Sequence, residues 1–338
     1  LEHALAAGRF QRRALLVERL AFSGDAGISD HHGAGGLSLL CSPSESSGWN
    51  PSRKSLFCDC CMFRDFCDEG AYLNLAYELL EDSRAWVPVR SGESGDFIYH
   101  RDDGLAYAKI ASPARVADLA DERDRLTWLH GRGVACPEVI DWRATEKGAC
   151  LTMTAIPGVA AVDLSGADLL KAWPSMAQQL GVLHSLPVVQ CPFERSLSRM
   201  FASAVDVVSR NAVNPDFLPD EDKNRPQQEL LARVERELPV RLDQERADMV
   251  VCHGDPCMPN FIVDPRSLQC AGVIDLGRLG TADRYADLAL MVANAGESWT
   301  TPHEAERGFT ILFDILGISA PDRERLAFYL RLDPLTWG

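Results

Sequence analysis

The stretch His253-Gly254-Asp255-Pro256-Cys257-Met258-Pro259-Asn260, followed by Val273-Ile274-Asp275-Leu276-Gly277-Arg278, constrains this chain more than any other feature. Its flanks read as strands: Met249-Val250-Val251-Cys252 before it, Phe261-Ile262-Val263-Asp264 after it, and 270–274 further on. Asp264-Pro265-Arg266-Ser267-Leu268 has the turn chemistry to join the last two as a hairpin. If the hairpin is symmetric about Ser267 and Leu268, Asn260 lies opposite Asp275. An amide oxygen and a carboxylate side by side suit a hard cation that prefers oxygen ligands. Asp255 falls just upstream on a loop, where its carboxylate can face a hydroxyl and take its proton.

This pattern resembles the catalytic core of the protein-kinase-like aminoglycoside phosphotransferases. The protein-kinase form is H-R-D-x-x-x-x-N followed by D-F-G; here the elements are H-G-D-x-x-x-x-N and D-L-G. From about residue 86 to residue 338 the chain is similar to the aminoglycoside 3''-phosphotransferases, the streptomycin 3''-kinases of that family. Val87-Pro88-Val89-Arg90, Ser94-Gly95-Asp96-Phe97, Ala155-Ile156-Pro157-Gly158, the run 207–222 and the C-terminal 328–338 carry this similarity. The resemblance implies an α+β, protein-kinase-like two-lobe fold with a small antiparallel-sheet N-lobe and a mainly helical C-lobe. It implies ATP and Mg2+ as cofactors and transfer of phosphate to the 3''-hydroxyl of streptomycin, a reaction that inactivates the antibiotic. Asp255 would orient the hydroxyl and accept its proton, while Asn260 and Asp275 would hold magnesium on the phosphates.

The flanking sequence fits that division. Strands are expected over 86–90, 96–100 and 105–110, a helix over 112–131, and two further strands over 137–142 and 149–155. This is a five-stranded sheet with one helix, within an N-lobe spanning 62–156. The C-lobe, 157–338, is expected to be largely helical, with helices over 168–186 interrupted by Pro174, 200–209, 227–238, 285–295, 302–316 and 321–330. Lys109 ends a strand, and in a kinase small lobe such a lysine pairs the ATP α- and β-phosphates while a helix glutamate holds it. Glu122 is the preferred partner, with Asp121 and Asp124 as competitors on the same helix. Ser94 and Gly95 lie on a glycine-containing turn between the first two strands, where backbone N–H groups can approach phosphates. Thr154, Ala155 and Ile156 are expected to form the hinge that contacts adenine. His253 is expected to brace the catalytic loop, supported by Asp287, and His184 to be a packed histidine.

Streptomycin carries two guanidinium groups, so carboxylates are expected to line its pocket. Glu297 and Asp333 fall where the resemblance places substrate acids. Asp216 and Asp220 lie, with Glu221 and Asp222, on a connection that could cover the site. Arg278 is expected to steady a phosphate or the aspartates.

The net charge is -15, and residues 1–61 hold six Lys/Arg against six Asp/Glu, so the whole excess lies in residues 62–338. An acidic body argues against nucleic acid as the main partner and favours cationic ligands. No apolar run is long enough for a transmembrane helix, and the N-terminal residues do not read as a signal peptide. A cytoplasmic protein with free cysteines is therefore expected, and a monomer is the expected state, although the sequence itself does not fix it. Residues 1–61 read as a disordered or non-native extension, since 23–55 is rich in Gly, Ser, Pro and His and the first methionine is Met62. Cys58, Cys60, Cys61 and Cys67 offer a sharper alternative, a zinc site, but lack a paired C-x-x-C knuckle. Two other readings stay open for the whole chain: a kinase of another small alcohol or aminoglycoside, and an inactive nucleotide-binding homologue. A protein kinase is disfavoured, because no A-P-E segment follows Asp275.

Overall fold

The computed structural model describes residues 78–80, 85–89 and 97–338. The expected extension over 1–61, the four-cysteine cluster and the Ser94–Gly95 turn lie outside the described residues.

Five strands form the small lobe: β1 (Trp86–Val89), β2 (Phe97–Arg101), β3 (Ala106–Ala111), β4 (Val139–Thr145) and β5 (Gly148–Thr154). All neighbours are antiparallel, in the order β1-β2-β3-β5-β4. Alternation along β3 buries Ala106, Ala108 and Ile110 on one face, the last two against Leu79, Leu80, Tyr99 and Cys150. Tyr107 and Lys109 therefore share the other face. Helix α1 (Val116–Leu129) follows β3 and buries Leu119, Glu122, Leu126 and Leu129, the three-to-four spacing of an inward stripe. The sheet, its helix and their order are those expected from the sequence.

The large lobe contains β6 (Val159–Ala160), α2 (Gly166–His184), α3 (Leu197–Ser209), α4 (Gln227–Asp248), β7 (Met249–Cys252), β8 (Phe261–Val263), β9 (Cys270–Val273), β10 (Gly280–Asp283), α5 (Arg284–Gly296), α6 (Pro302–Ile315) and α7 (Arg323–Leu332). The chain thus has the antiparallel small lobe and helical large lobe of a kinase-like fold. Helix α5 is buried at ten of its thirteen positions. It carries Asp287 beneath the loop between β7 and β8.

Three expectations need correction. Helix α2 runs unbroken through Pro174, and α4 runs through Pro239 for another nine residues. Proline removes one hydrogen bond, but packing on both sides holds the axis. Trp173, fully buried beside Pro174, stacks edge-on to Trp299 at 5.1 Å and donates its indole N–H to the Gly308 carbonyl at 2.8 Å. Strand β10 was not expected, because Gly-Thr-Ala-Asp has little strand propensity. Its place against β7 is set by tertiary contacts: Asp283 Oδ2 accepts from Arg325 Nε at 2.7 Å and from the Tyr329 hydroxyl at 2.8 Å.

The third correction is the hairpin register. Phe261 pairs with Val273 and Ile262 with Gly272, and Ile274 N donates to Asn260 O at 2.9 Å. Asn260 therefore faces Ile274, and Asp275 lies one residue beyond. The turn is not centred on Ser267 and Leu268. Asp264 accepts from Leu268 N and donates to Gln269 O, Leu268 takes φ +55°, and a bulge at Ile262/Val263 absorbs the extra residue.

Candidate active site

The site lies where β3, α1 and the loops around β7–β9 meet. Lys109 Nζ donates to both Glu122 oxygens, at 2.7 and 2.9 Å, and to Asp275 Oδ1 at 3.0 Å. The Lys109 and Glu122 side chains are only 11% and 7% exposed, whereas Asp275 is 42% exposed towards the cleft. Burial works against the Lys109 ammonium, but Glu122 and then Asp275 outweigh it and hold its pKa above the ordinary lysine value. Burial likewise pushes Asp275 up, yet the Lys109 ammonium overrides it and leaves Asp275 below the ordinary carboxylate value. One ammonium between two carboxylates leaves a net negative charge, the electrostatics that favour a cation at Asp275. Asp121 and Asp124, the competitors for Lys109, instead pair with Arg125 and Arg123.

The loop after β7 is fastened by buried groups. Asp287 is fully buried, and its two oxygens accept from His253 N at 2.7 Å and Gly254 N at 2.9 Å. Its Oδ2 also lies 3.0 Å from His184 Nε2, so the packed histidine of the sequence reading is one partner of this brace. The His253 ring has an assignable tautomer. Nδ1 accepts from Asp255 N at 3.2 Å, and Nε2 lies 3.1 Å from the Ile274 carbonyl, which can only accept. Nε2 therefore carries the proton, and the ring bridges the Asp255 loop to the strand leading into Asp275. Met258 N donates to Asn294 Oδ1 at 2.6 Å.

Asn260 Nδ2 donates to Asp255 O at 2.8 Å. That contact fixes the amide orientation and directs the carbonyl oxygen away from the loop, available to a cation. The donor set is thus one amide oxygen and one carboxylate, hard oxygens that fit magnesium with phosphate and water completing its shell. Asp255 itself is half-buried, and among the described residues nothing hydrogen-bonds its carboxylate. Its acceptor atoms are unused, on a rigid loop held by Asp287 and Asn294.

Gly254 explains part of that rigidity. Its φ is +90°, and an added Cβ would lie 2.2 Å from the Arg278 carbonyl oxygen. Gly254→Ala is expected to cost about 2–5 kcal/mol by combining backbone strain with overpacking. Thermal denaturation should show a clearly lowered midpoint and turnover should fall with it; an unchanged midpoint would contradict the close approach.

The remaining candidates are distributed as follows. Thr154 exchanges bonds with Glu138, its N–H to the carbonyl and its hydroxyl from the N–H, each at 2.9 Å. Ile156 is half-buried and packs over Gly272. Glu297 follows the last turn of α5. Asp333 and Arg278 meet each other at 3.3 Å. Arg195 approaches Asp333 at 3.8 Å, and Arg278 also donates to the Thr336 hydroxyl and stacks on Trp337 at 4.1 Å. Asp216 is exposed, and Asp220 pairs with Lys223 at 2.8 Å. Asp222 pairs with Arg225 and Arg233, so that part of the connection is already neutralised internally.

Sequence reasoning passed over Tyr107, Arg125, Arg195 and Asn294. Strand alternation from Lys109 was signal enough for Tyr107, which is 39% exposed. Asn294 stood out as a polar residue within an apolar helix. The two arginines gave no signal, because their partners are distant in sequence.

Residues 85–329 match the phosphotransferase enzyme family, APH. The chain is 50% identical over 253 residues to a streptomycin 3''-kinase of Streptomyces griseus, covering 75% of this chain and 93% of that protein. It is 38% identical over 268 residues to an aminoglycoside 3'-phosphotransferase of Streptomyces fradiae, covering 73% and 94%. Among solved structures, aminoglycoside phosphotransferase APH(3'')-Id from Streptomyces rimosus in complex with ADP and streptomycin superposes with a TM-score of 0.74 at 45% identity, covering 80% of this chain and 99% of that one.

Proposed function

The chain belongs to the phosphotransferase enzyme family, and from that premise we propose that it transfers the γ-phosphate of ATP to the 3''-hydroxyl of streptomycin. The observation that carries the chemistry is the unengaged Asp255 carboxylate on a braced loop beside the Lys109–Glu122–Asp275 cluster. Half-identity to a streptomycin 3''-kinase across three quarters of the chain supports the acceptor.

In this reading Asp255 orients the acceptor hydroxyl and takes its proton as the new oxygen–phosphorus bond forms and the bond to the ADP leaving oxygen breaks. Lys109, held by Glu122, positions the α- and β-phosphates. Asn260 and Asp275 would hold Mg2+, which when bound supplies positive charge to the phosphate oxygens. Tyr107, on the Lys109 face of β3, offers an exposed aromatic surface to the adenine ring. Asp333 and Glu297 remain the acids proposed for the drug's cationic groups. A guanidinium arriving at Asp333 would meet a carboxylate already shared with Arg278 and Arg195. Among the described residues no helix is long and apolar enough to cross a membrane.

Purified protein should be assayed with ATP and magnesium against streptomycin, kanamycin, spectinomycin and choline, with product mass. A streptomycin monophosphate, and no other product, is expected. Turnover of a different acceptor would keep the kinase chemistry and overturn the substrate. ATP binding without any turnover would favour an inactive homologue.

A further inference from the structure

The segment that presents Asp275 is tied to the small lobe on both sides. Upstream, Val273 N donates to Ala135 O at 2.9 Å. A Cβ on neighbouring Gly272 would lie only 2.7 Å from that same carbonyl. Downstream, Arg125 Nε donates to the carbonyl of fully buried Leu279 at 2.8 Å. Arg125 lies on α1, three residues after Glu122, so both side chains project from adjacent positions of one helix face. Its side chain is 13% exposed, with Asp121 at 3.3 Å and the Phe193 ring at 4.8 Å. One turn further along α1, Trp128 meets Phe193 edge-on at 6.1 Å and donates to Gln190 O at 3.1 Å.

We infer that Arg125 is a positioning residue that fixes α1, and with it the Glu122–Lys109 pair, against the loop carrying Asp275. This rests on the phosphoryl-transfer reading of the cleft. The physical reason is population. A helix free to pivot occupies several arrangements, and only those joining Lys109 to Asp275 are competent, so turnover scales with the competent fraction. The guanidinium suits the task because one planar group meets a carbonyl, a carboxylate and an aromatic face together, which a lysine ammonium cannot do. The active arrangement is then built into the fold through Arg125 and Phe193, with no separate activation segment needed to set the helix.

The test compares wild type, Arg125→Ala, Arg125→Lys and Arg123→Ala in the full chain. Arg123 lies two residues away and stacks on Trp142 within the small lobe, so it controls for loss of charge. Arg125→Ala is expected to lower kcat about tenfold, the fall for a competent fraction of about one tenth, with the streptomycin KM essentially unchanged. Amides of 116–129 and 273–280 should exchange hydrogen faster, read without substrates. Arg125→Lys should remain impaired and Arg123→Ala should match wild type. Wild-type kcat in Arg125→Ala, full rescue by lysine, or unchanged exchange would overturn the inference. Should Arg125→Ala fail to fold, Phe193→Leu removes the aromatic ring that Arg125 and Trp128 both meet while keeping the guanidinium; it should raise exchange in the same two segments, and no change there would equally overturn it. Exchange needs no acceptor, so a wild-type protein inactive on streptomycin would defeat the substrate assignment while leaving this result readable.

Discussion

Asp255→Ala is expected to lower kcat for streptomycin phosphorylation by about 10²- to 10⁴-fold, the range for removing a positioned general base. Its thermal midpoint should stay close to that of wild type. The carboxylate makes no described hydrogen bond within the chain, so truncating it strands no buried partner. The loop keeps its shape through backbone contacts: His253 N and Gly254 N to Asp287, and Asn260 Nδ2 to the Asp255 carbonyl. Nucleotide affinity should likewise persist, because Lys109 and Asp275 are untouched. Asp255→Asn keeps the volume and removes the proton acceptor, so it should be nearly as slow. Residual turnover within about tenfold of wild type in both variants would remove Asp255 as the base, since that lies below the usual contribution of such a group.

Asp287→Ala should damage the protein in the opposite way, through stability first. Two backbone N–H groups and His184 would lose a common acceptor in a site from which water is excluded. Each buried group left unpaired costs about 1–3 kcal/mol, so the total is a large share of the roughly 5–15 kcal/mol that stabilises a typical domain. A strongly lowered denaturation midpoint is expected, with activity lost even below it because the Asp255 loop is no longer held. The effect should also depend on pH. Burial pushes the Asp287 carboxyl upwards, but its hydrogen bonds, led by that from His184, prevail and hold it below the ordinary value. A depressed folded pKa means that this stabilisation is fully present above the unfolded value, about 3.9, and is lost as pH falls through the folded value. The stability difference between wild type and Asp287→Ala should therefore be flat near neutrality and shrink only in acid. A difference that grew as pH fell would show that the carboxylate is not the stabilised form.

The two variants separate chemistry from support within one loop. In the proposed reaction Asp255 takes the proton and has little structural role; Asp287 supports the loop that presents it. The Glu122–Lys109 pair stands between them, since it is enclosed like a structural ion pair yet reaches Asp275 at the cleft.

What the sequence determined by itself was the local and patterned information. The resemblance carried by His253-Gly254-Asp255, Asn260 and Asp275 implied the fold class and pointed to candidate reacting groups. Alternation and helical spacing located the small-lobe strands and α1. The same resemblance paired Lys109 with Glu122, and the fold joins them at 2.7 Å. Tertiary structure decided the rest, because those features depend on groups far apart in the chain. The hairpin register was set by the Asp264 turn and a bulge, moving Asn260 from opposite Asp275 to opposite Ile274. Packing carried α2 and α4 through their prolines, and Arg325 with Tyr329 secured a strand at β10 that propensity opposed. Asp333, which the resemblance places among the substrate acids, meets Arg278 and Arg195 from elsewhere in the fold. Arg125 gains its role only because folding brings the Leu279 carbonyl beside it, 154 residues along the chain.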